Sequence, residues 1–263
     1  MLLGALLSLA ILVVAMGAAA VIAEQTRRSG FIDGIWAIST GAATLTLILT
    51  LSGPFERPLV ISALVAIWAV RLGRHLVTRT LKSGADDPRY AALRRDWGEA
   101  APRKLFVFLQ MQAIAGWLLA LSAAAAAARP GPLDWQDGLG VAIVLIALFG
   151  EWQADRQLAA FRRDKAGAVC DRGLWGWSRH PNYFFEWLVW VGIAVIGIAF
   201  DGRTALVLVA PVSIYWLLVH VSGIPPLERH MLESRGETFR AYQRRVSPFF
   251  PIKPKTIETE RDS

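Results

Sequence analysis

Apolar residues fall in seven long stretches, at roughly 2–23, 31–52, 58–77, 105–128, 138–160, 183–200 and 204–222. Each is near the ~20 residues that a helix needs to cross the hydrocarbon core of a bilayer. Turn-forming residues stand in several gaps: Ser29-Gly30, Ser52-Gly53-Pro54, Pro130-Gly131-Pro132 and Asp201-Gly202. Lipid offers no partner to a bare backbone N–H or C=O, so each stretch predicts a continuous helix. The expected fold class is all-α, an integral membrane protein with seven transmembrane helices. The first stretch has small residues near its end, as a signal peptide does. No Lys or Arg precedes it, however, and Arg27 and Arg28 follow it. It reads as a membrane helix with an external N-terminus.

Charge then sets an orientation. With the gaps numbered in order, the odd gaps and the C-terminal tail hold 25 of the 28 basic residues. The other side holds only Arg57, Arg129 and Arg203. Cytoplasmic loops collect Lys and Arg, so this split predicts a cytoplasmic C-terminus. It also explains most of the net charge of +7 and makes a nucleic-acid partner unnecessary. A single cysteine, Cys170, excludes an internal disulfide and a multi-cysteine metal site. The four histidines, at 75, 180, 220 and 230, lack zinc-ligand spacing, so no metal is expected. No P-loop, nucleophile-elbow or Rossmann glycine pattern is present.

Polar chemistry concentrates in a few places. Residues 172–186, RGLWGWSRHPNYFFE, bring Arg172, Arg179, His180, Asn182, Tyr183 and Glu186 to the mouth of the sixth stretch. Charged groups there are expensive and usually serve a site. An aromatic belt of Trp175, Trp177, Tyr183 and Trp187 accounts for part of the segment, but not for His180 or Glu186. Upstream, Glu151, Asp155 and Arg162 share one helix face by their spacing. Acids for ribose hydroxyls and guanidiniums for phosphates suit a dinucleotide; a solvated face with ion pairs has the same spacing. The tail, with Glu228, His230 and Tyr242, reads as an amphipathic helix ended by prolines, as a surface helix would. Asp33 and Trp36 lie three apart near the start of the second stretch. An acid there is a candidate for function or for an interfacial position. Asp86, Asp87, Arg89 and Tyr90 follow the third stretch.

The run GLWGWSRHPNYFFEW resembles the C-terminal signature of the steroid 5-alpha-reductase family, in its bacterial branch. The resemblance takes in Asp33 and Trp36, DDPRY at 86–90 and FLQ at 108–110. It continues through the helix with Glu151, Asp155 and Arg162, and the ending with Tyr242 and Pro248-Phe249. It implies a seven-helix membrane reductase that uses NADPH on the C4–C5 double bond of 3-oxo-4-ene steroids or similar hydrophobic enones. It also implies a cofactor cradle at the cytoplasmic ends of helices five to seven. Asp155, Arg162, Asn182 and Glu186 match family positions that contact the nucleotide, and Glu151 stands where the animal enzymes have Asn. Arg172, Arg179, His180, Tyr183, Glu228, His230 and Tyr242 are expected as supporting contacts.

One departure matters. The animal enzymes place a Gln-Glu pair in the second span and a Tyr in the third against the steroid ketone. Neither is found in 31–52 or 58–77. Asp33 is the expected stand-in for the acid, protonated in an apolar site, and Tyr90 for the phenol. Trp36 is expected beside the substrate. The resemblance implies one domain over 1–263, with substrate-side helices in 1–128 and a cofactor-binding half in 138–263. A monomer in the bacterial inner membrane is expected, with a hydrophobic substrate arriving from the bilayer and the cofactor site facing the cytoplasm. The rival is a membrane methyltransferase of the isoprenylcysteine carboxyl type, which shares an RHPxY-like segment and binds S-adenosylmethionine.

Overall fold

The computed structural model describes residues 2–255, apart from 53, 84, 85, 166, 200, 201 and the side chain of 203. It is all-helical among the described residues. The α-helices are α1 (Leu2–Thr26), α2 (Phe31–Ile48), α3 (Glu56–Ser83), α4 (Pro88–Trp97), α5 (Ala101–Ala127), α6 (Trp135–Asp164), α7 (Pro181–Gly197), α8 (Arg203–Trp216) and α9 (Ile224–Arg245). Each of the seven expected stretches is helical over most of its described length, the second ending early at Ile48 and the sixth at Gly197; α4 is an addition. It starts where Asp87 accepts from the Arg89 N–H and Pro88 fills the first turn. Six helices are long and apolar enough to cross a membrane. At 17 residues, α7 is at the short limit for a span. α9 carries acids and bases along its whole length and is not part of the α8 span; Gly236, at φ 50, kinks it.

The distribution of polarity suits lipid. Leu2, Val14, Val70 and Phe149 are exposed, while Ser8, Thr40, Thr44 and Ser122 are buried. In water so much apolar surface would be an aggregation hazard. The buried hydroxyls of Ser8, Ser39 and Thr44 donate to carbonyls one turn back, so they add no unsatisfied polar group. This is a membrane protein.

The chain forms two compact units, Met1–Val144 with Trp190–Ser213, and Leu145–Val189 with Ile214–Ser263. In the first, α2 packs on α1, α3 and α5. Small residues let α2 and α3 approach closely. A Cβ on Gly41 would lie 2.5 Å from that of Ala69, and one on Gly73 would lie 2.5 Å from Ile38. Trp68 packs edge-on to Trp36 at 6.3 Å and to Trp190 at 5.0 Å. At the start of α3, the buried Arg57 makes a two-point ion pair with Asp137, at 2.7 and 2.9 Å. It also donates to the carbonyls of Arg129, Gly131 and Pro132. Arg129 pairs with Asp134 and Asp137. Past the other end of α3, Asp86 accepts from the Ser29 N–H and fastens the 86–90 segment to the start of α2.

Candidate functional site

In the second unit, Gly150 is where α6 meets α7. A Cβ there would lie 2.3–2.5 Å from the Phe185 ring, so only glycine lets that ring rest on the helix backbone. The next residue on each helix is an acid, and both Glu151 and Glu186 are buried, at 3% and 7% exposure. Each helix therefore carries a buried acid one residue on from the contact. The 173–178 segment lies along α6 just beyond it. Trp175 Nε1 donates to the Ala154 carbonyl at 2.9 Å, and the Leu174 N–H donates to Gln157 Oε1 at 2.9 Å. Gly173, at φ 58, allows this turn, and a Cβ there would strike Gln157. Asp155 and Asn182 are half-buried on the same helix segments, with Tyr183 beside Asn182. Arg162 and Arg172 are exposed.

The remaining polar residues of the motif close a clasp with the tail. Arg179 makes a two-point ion pair with Glu228, at 2.7 and 3.1 Å, and donates to the carbonyls of Gln243 and Val246. His180 Nε2 lies 2.9 Å from Glu228 Oε1, and Gln243 donates to Oε2 at 2.7 Å. Burial works to raise the Glu228 carboxyl, but hydrogen bonds from His180 and Arg179 outweigh it and hold it at about 2. Burial depresses the His180 imidazole. The ionised carboxylate only accepts, so neutral His180 donates from Nε2. The Tyr242 hydroxyl donates to the Trp175 carbonyl, and burial raises its phenol. Ser178 Oγ donates to the Phe249 carbonyl at 2.8 Å, and the Arg179 N–H to that of Ser247 at 2.8 Å. Arg179, His180, Glu228 and Tyr242, expected as supporting cofactor contacts, therefore direct these polar atoms to one another and to the backbone. Half-buried His230 accepts from Ser234 through its carbonyl.

Asp33 and Tyr90 belong to the first unit, and the structure brings them together. The Tyr90 hydroxyl donates to Asp33 Oδ1 at 2.9 Å, and Gln112 donates to the Tyr90 oxygen at 3.4 Å. Arg89 pairs with Asp33 and reaches back to Asp87, at 2.9 Å. Trp36 Nε1 donates to the Gln112 carbonyl at 3.0 Å. The site is less apolar than the sequence suggests. Asp33 stands against a guanidinium and a phenol, not alone among hydrocarbon side chains, so its expected isolated apolar setting is corrected. Gln112 and Arg89 enter the cluster without having been singled out for it. Gln112 follows Asp33 by 79 positions, so no local spacing signals it. Arg89 stands next to Tyr90 in the DDPRY run, which was the available signal.

A family model described as "Protein of unknown function (DUF1295)" matches residues 19–246. The chain belongs to this family. The DUF1295 match spans both the Asp33–Tyr90 cluster and the Glu151–Glu186 crossing, and it ends at Val246, inside the clasp. No curated protein and no solved structure matches the chain. Among the described residues, no group of three or more His, Cys, Asp or Glu is arranged to hold a metal ion.

Proposed function

We propose that this DUF1295 protein is an NADPH-dependent reductase of hydrophobic enones, with the C4–C5 double bond of 3-oxo-4-ene steroids as the type target. The observation that carries the proposal is the Gly150–Phe185 crossing. Glu151 and Glu186, each the residue after that contact on its helix, are both buried, with Asp155 one turn along α6 and Asn182 one turn before Glu186. That donor set fits a dinucleotide. The carboxylates accept ribose hydroxyls and amide N–H groups, and the Asn182 amide both donates and accepts. The exposed Arg162 takes the 2′-phosphate, with Arg172 beside the pyrophosphate. Arg179, His180, Glu228 and Tyr242 position this set by holding the 173–182 segment in place.

Bound NADPH supplies the hydride. The protein's part is to orient the enone and polarise it. Negative charge builds on the carbonyl oxygen during conjugate reduction, and losing a donor aimed at such an oxygen costs roughly 10²–10³ in rate. Tyr90 is the donor in this reading, its single O–H turning from Asp33 Oδ1 to the substrate oxygen. Arg89 holds Asp33 and Gln112 donates to the Tyr90 oxygen, and Trp36 lines the substrate's place. The fold is read as seven spans with the N-terminus outside and the cofactor site in the cytoplasm, in a bacterial inner membrane. A monomer takes its substrate from the bilayer.

The buried pair of acids also suits the sulfonium of S-adenosylmethionine, which keeps the membrane methyltransferase as a second reading. Turnover separates the two. The purified protein in nanodiscs is expected to oxidise NADPH only when a 4-ene-3-oxo steroid is present. Methyl transfer from S-adenosylmethionine to a prenylcysteine, with NADPH left untouched, would replace the reductase by the rival.

A further inference from the structure

The chain beyond α9 builds a basic pocket that the reductase reading does not use. After Arg245 the backbone turns through Ser247 and Pro248 and comes back on itself. The Lys255 N–H donates to the Arg245 carbonyl at 2.9 Å, and the Ile252 N–H to that of Trp177 at 3.2 Å. The bonds from Ser178 and Arg179 to this turn fix its other side. The return encloses about 230 Å³, lined by Arg179, Arg244, Arg245, Lys253 and Lys255 among others.

The charges there are unequally matched. Arg179 is taken up by Glu228. Arg244 meets Glu237 at 2.8 Å and Arg245 meets Asp171 at 3.2 Å. Both of those pairs are exposed and hold their arginines weakly. Lys253 and Lys255 have no acidic partner among the described residues. The pocket therefore keeps an excess of positive charge on a pinned frame.

Two further observations point to the source of the anion. The Phe249 and Phe250 rings pack on Tyr215, near the end of α8, at 5.3 and 6.2 Å. That sets the turn beside the end of a membrane helix. Phe250 and Ile252 nevertheless stay exposed, at 44% and 57%. Apolar side chains next to lysines at such a level are the pattern of a surface that sits against headgroups and acyl chains together. A site for a soluble anion has no use for the apolar rim.

We propose that this pocket binds the phosphate headgroup of an anionic phospholipid, with Lys253 and Lys255 on the phosphate and Phe250 and Ile252 against the acyl chains. Neither lysine has a role in the reductase reading, and headgroup binding does not depend on the cofactor.

The test compares the full chain in nanodiscs of phosphatidylcholine alone with nanodiscs of an equal mixture with phosphatidylglycerol, read by thermal unfolding. The mixture is expected to raise the melting temperature of the wild type. The Lys253→Glu/Lys255→Glu double variant is expected to lose that rise, while Arg103→Glu/Lys104→Glu, which removes the same charge elsewhere, keeps it. Melting in phosphatidylcholine alone checks that each fold is intact. If charge reversal lowers it, Lys253→Gln/Lys255→Gln takes over with the same expectation. A rise that survives in the Lys253/Lys255 variants, or that both double variants lose equally, overturns the proposal. So does inorganic pyrophosphate in phosphatidylcholine producing the same rise, which would make this a soluble-anion site. An NADPH-induced shift lost only in the Lys253/Lys255 variants would assign the pocket to the cofactor and also overturn it. Absence of any NADPH shift in the wild type would count against the reductase reading and leave the lipid comparison readable.

Discussion

Two arginines of the expected cofactor set differ in their surroundings. Arg179 directs its guanidinium to Glu228 and two carbonyls, and Arg162 is exposed on the last turn of α6. Arg162→Ala is therefore expected to weaken NADPH by roughly ten- to a hundredfold, as loss of charge-assisted hydrogen bonds worth about 1.5–3 kcal/mol implies. NADH, which lacks the 2′-phosphate, is expected to change little, and titration with each cofactor checks this. Equal weakening would move Arg162 elsewhere on the cofactor. Asp33→Asn removes the charge that Tyr90 and Arg89 share. Turnover is expected to drop while NADPH affinity holds, and an unchanged rate would take Asp33 out of the chemistry. The residues of 172–186 were legible because they crowd into one polar run inside an apolar sequence. Gln112 was not, because its contact with Tyr90 exists only once α4 and α5 are folded.

Among elements, the apolar helices could be read from hydropathy because lipid leaves a spanning backbone no alternative. α4 could not, since ten residues with four charges among them carry no membrane signal and the helix starts with its Asp87 cap. The clasp was equally hidden. A two-point Arg179–Glu228 pair joins positions 49 apart, and nothing in the local pattern of α9 announces it. Glu228→Ala leaves Arg179 buried without its counter-charge, a change that typically costs about 3–5 kcal/mol. A clear fall in melting temperature is expected, and an unchanged value would show that the clasp adds nothing. The pH dependence has a definite sign. The Glu228 carboxyl is held at about 2, below its ordinary 4.5, so its contribution is complete above pH 4.5 and is lost as pH falls towards 2. His180, depressed by burial from 6.5, adds a loss that begins below pH 6.5, where the unfolded chain takes up the proton first. In melting curves run down the acid limb, Glu228→Gln is expected to flatten the lower part and His180→Gln the upper.

For the whole molecule, two of the three basic residues that break the charge asymmetry have a structural explanation. Arg57 and Arg129 are neutralised by Asp137 and Asp134, so they add little positive charge to the face assigned to the outside. In a Cys170→Ala background, Leu133→Cys is expected to react with an impermeant maleimide on intact cells, and Arg163→Cys only after lysis. The reverse pattern would invert the topology. The compact units divide within α6, α7 and α8, a partition invisible to hydropathy because each boundary falls inside a mainly apolar run of its helix. The central claim is that the α6–α7 crossing holds NADPH. Thermal unfolding of the purified protein with NADPH, NADH or S-adenosylmethionine added separately tests it most directly. A ligand at about 100 times its dissociation constant stabilises by roughly 2.7 kcal/mol. The account predicts a clear upward shift with NADPH, a smaller one with NADH and none with S-adenosylmethionine; a shift with S-adenosylmethionine alone would contradict it.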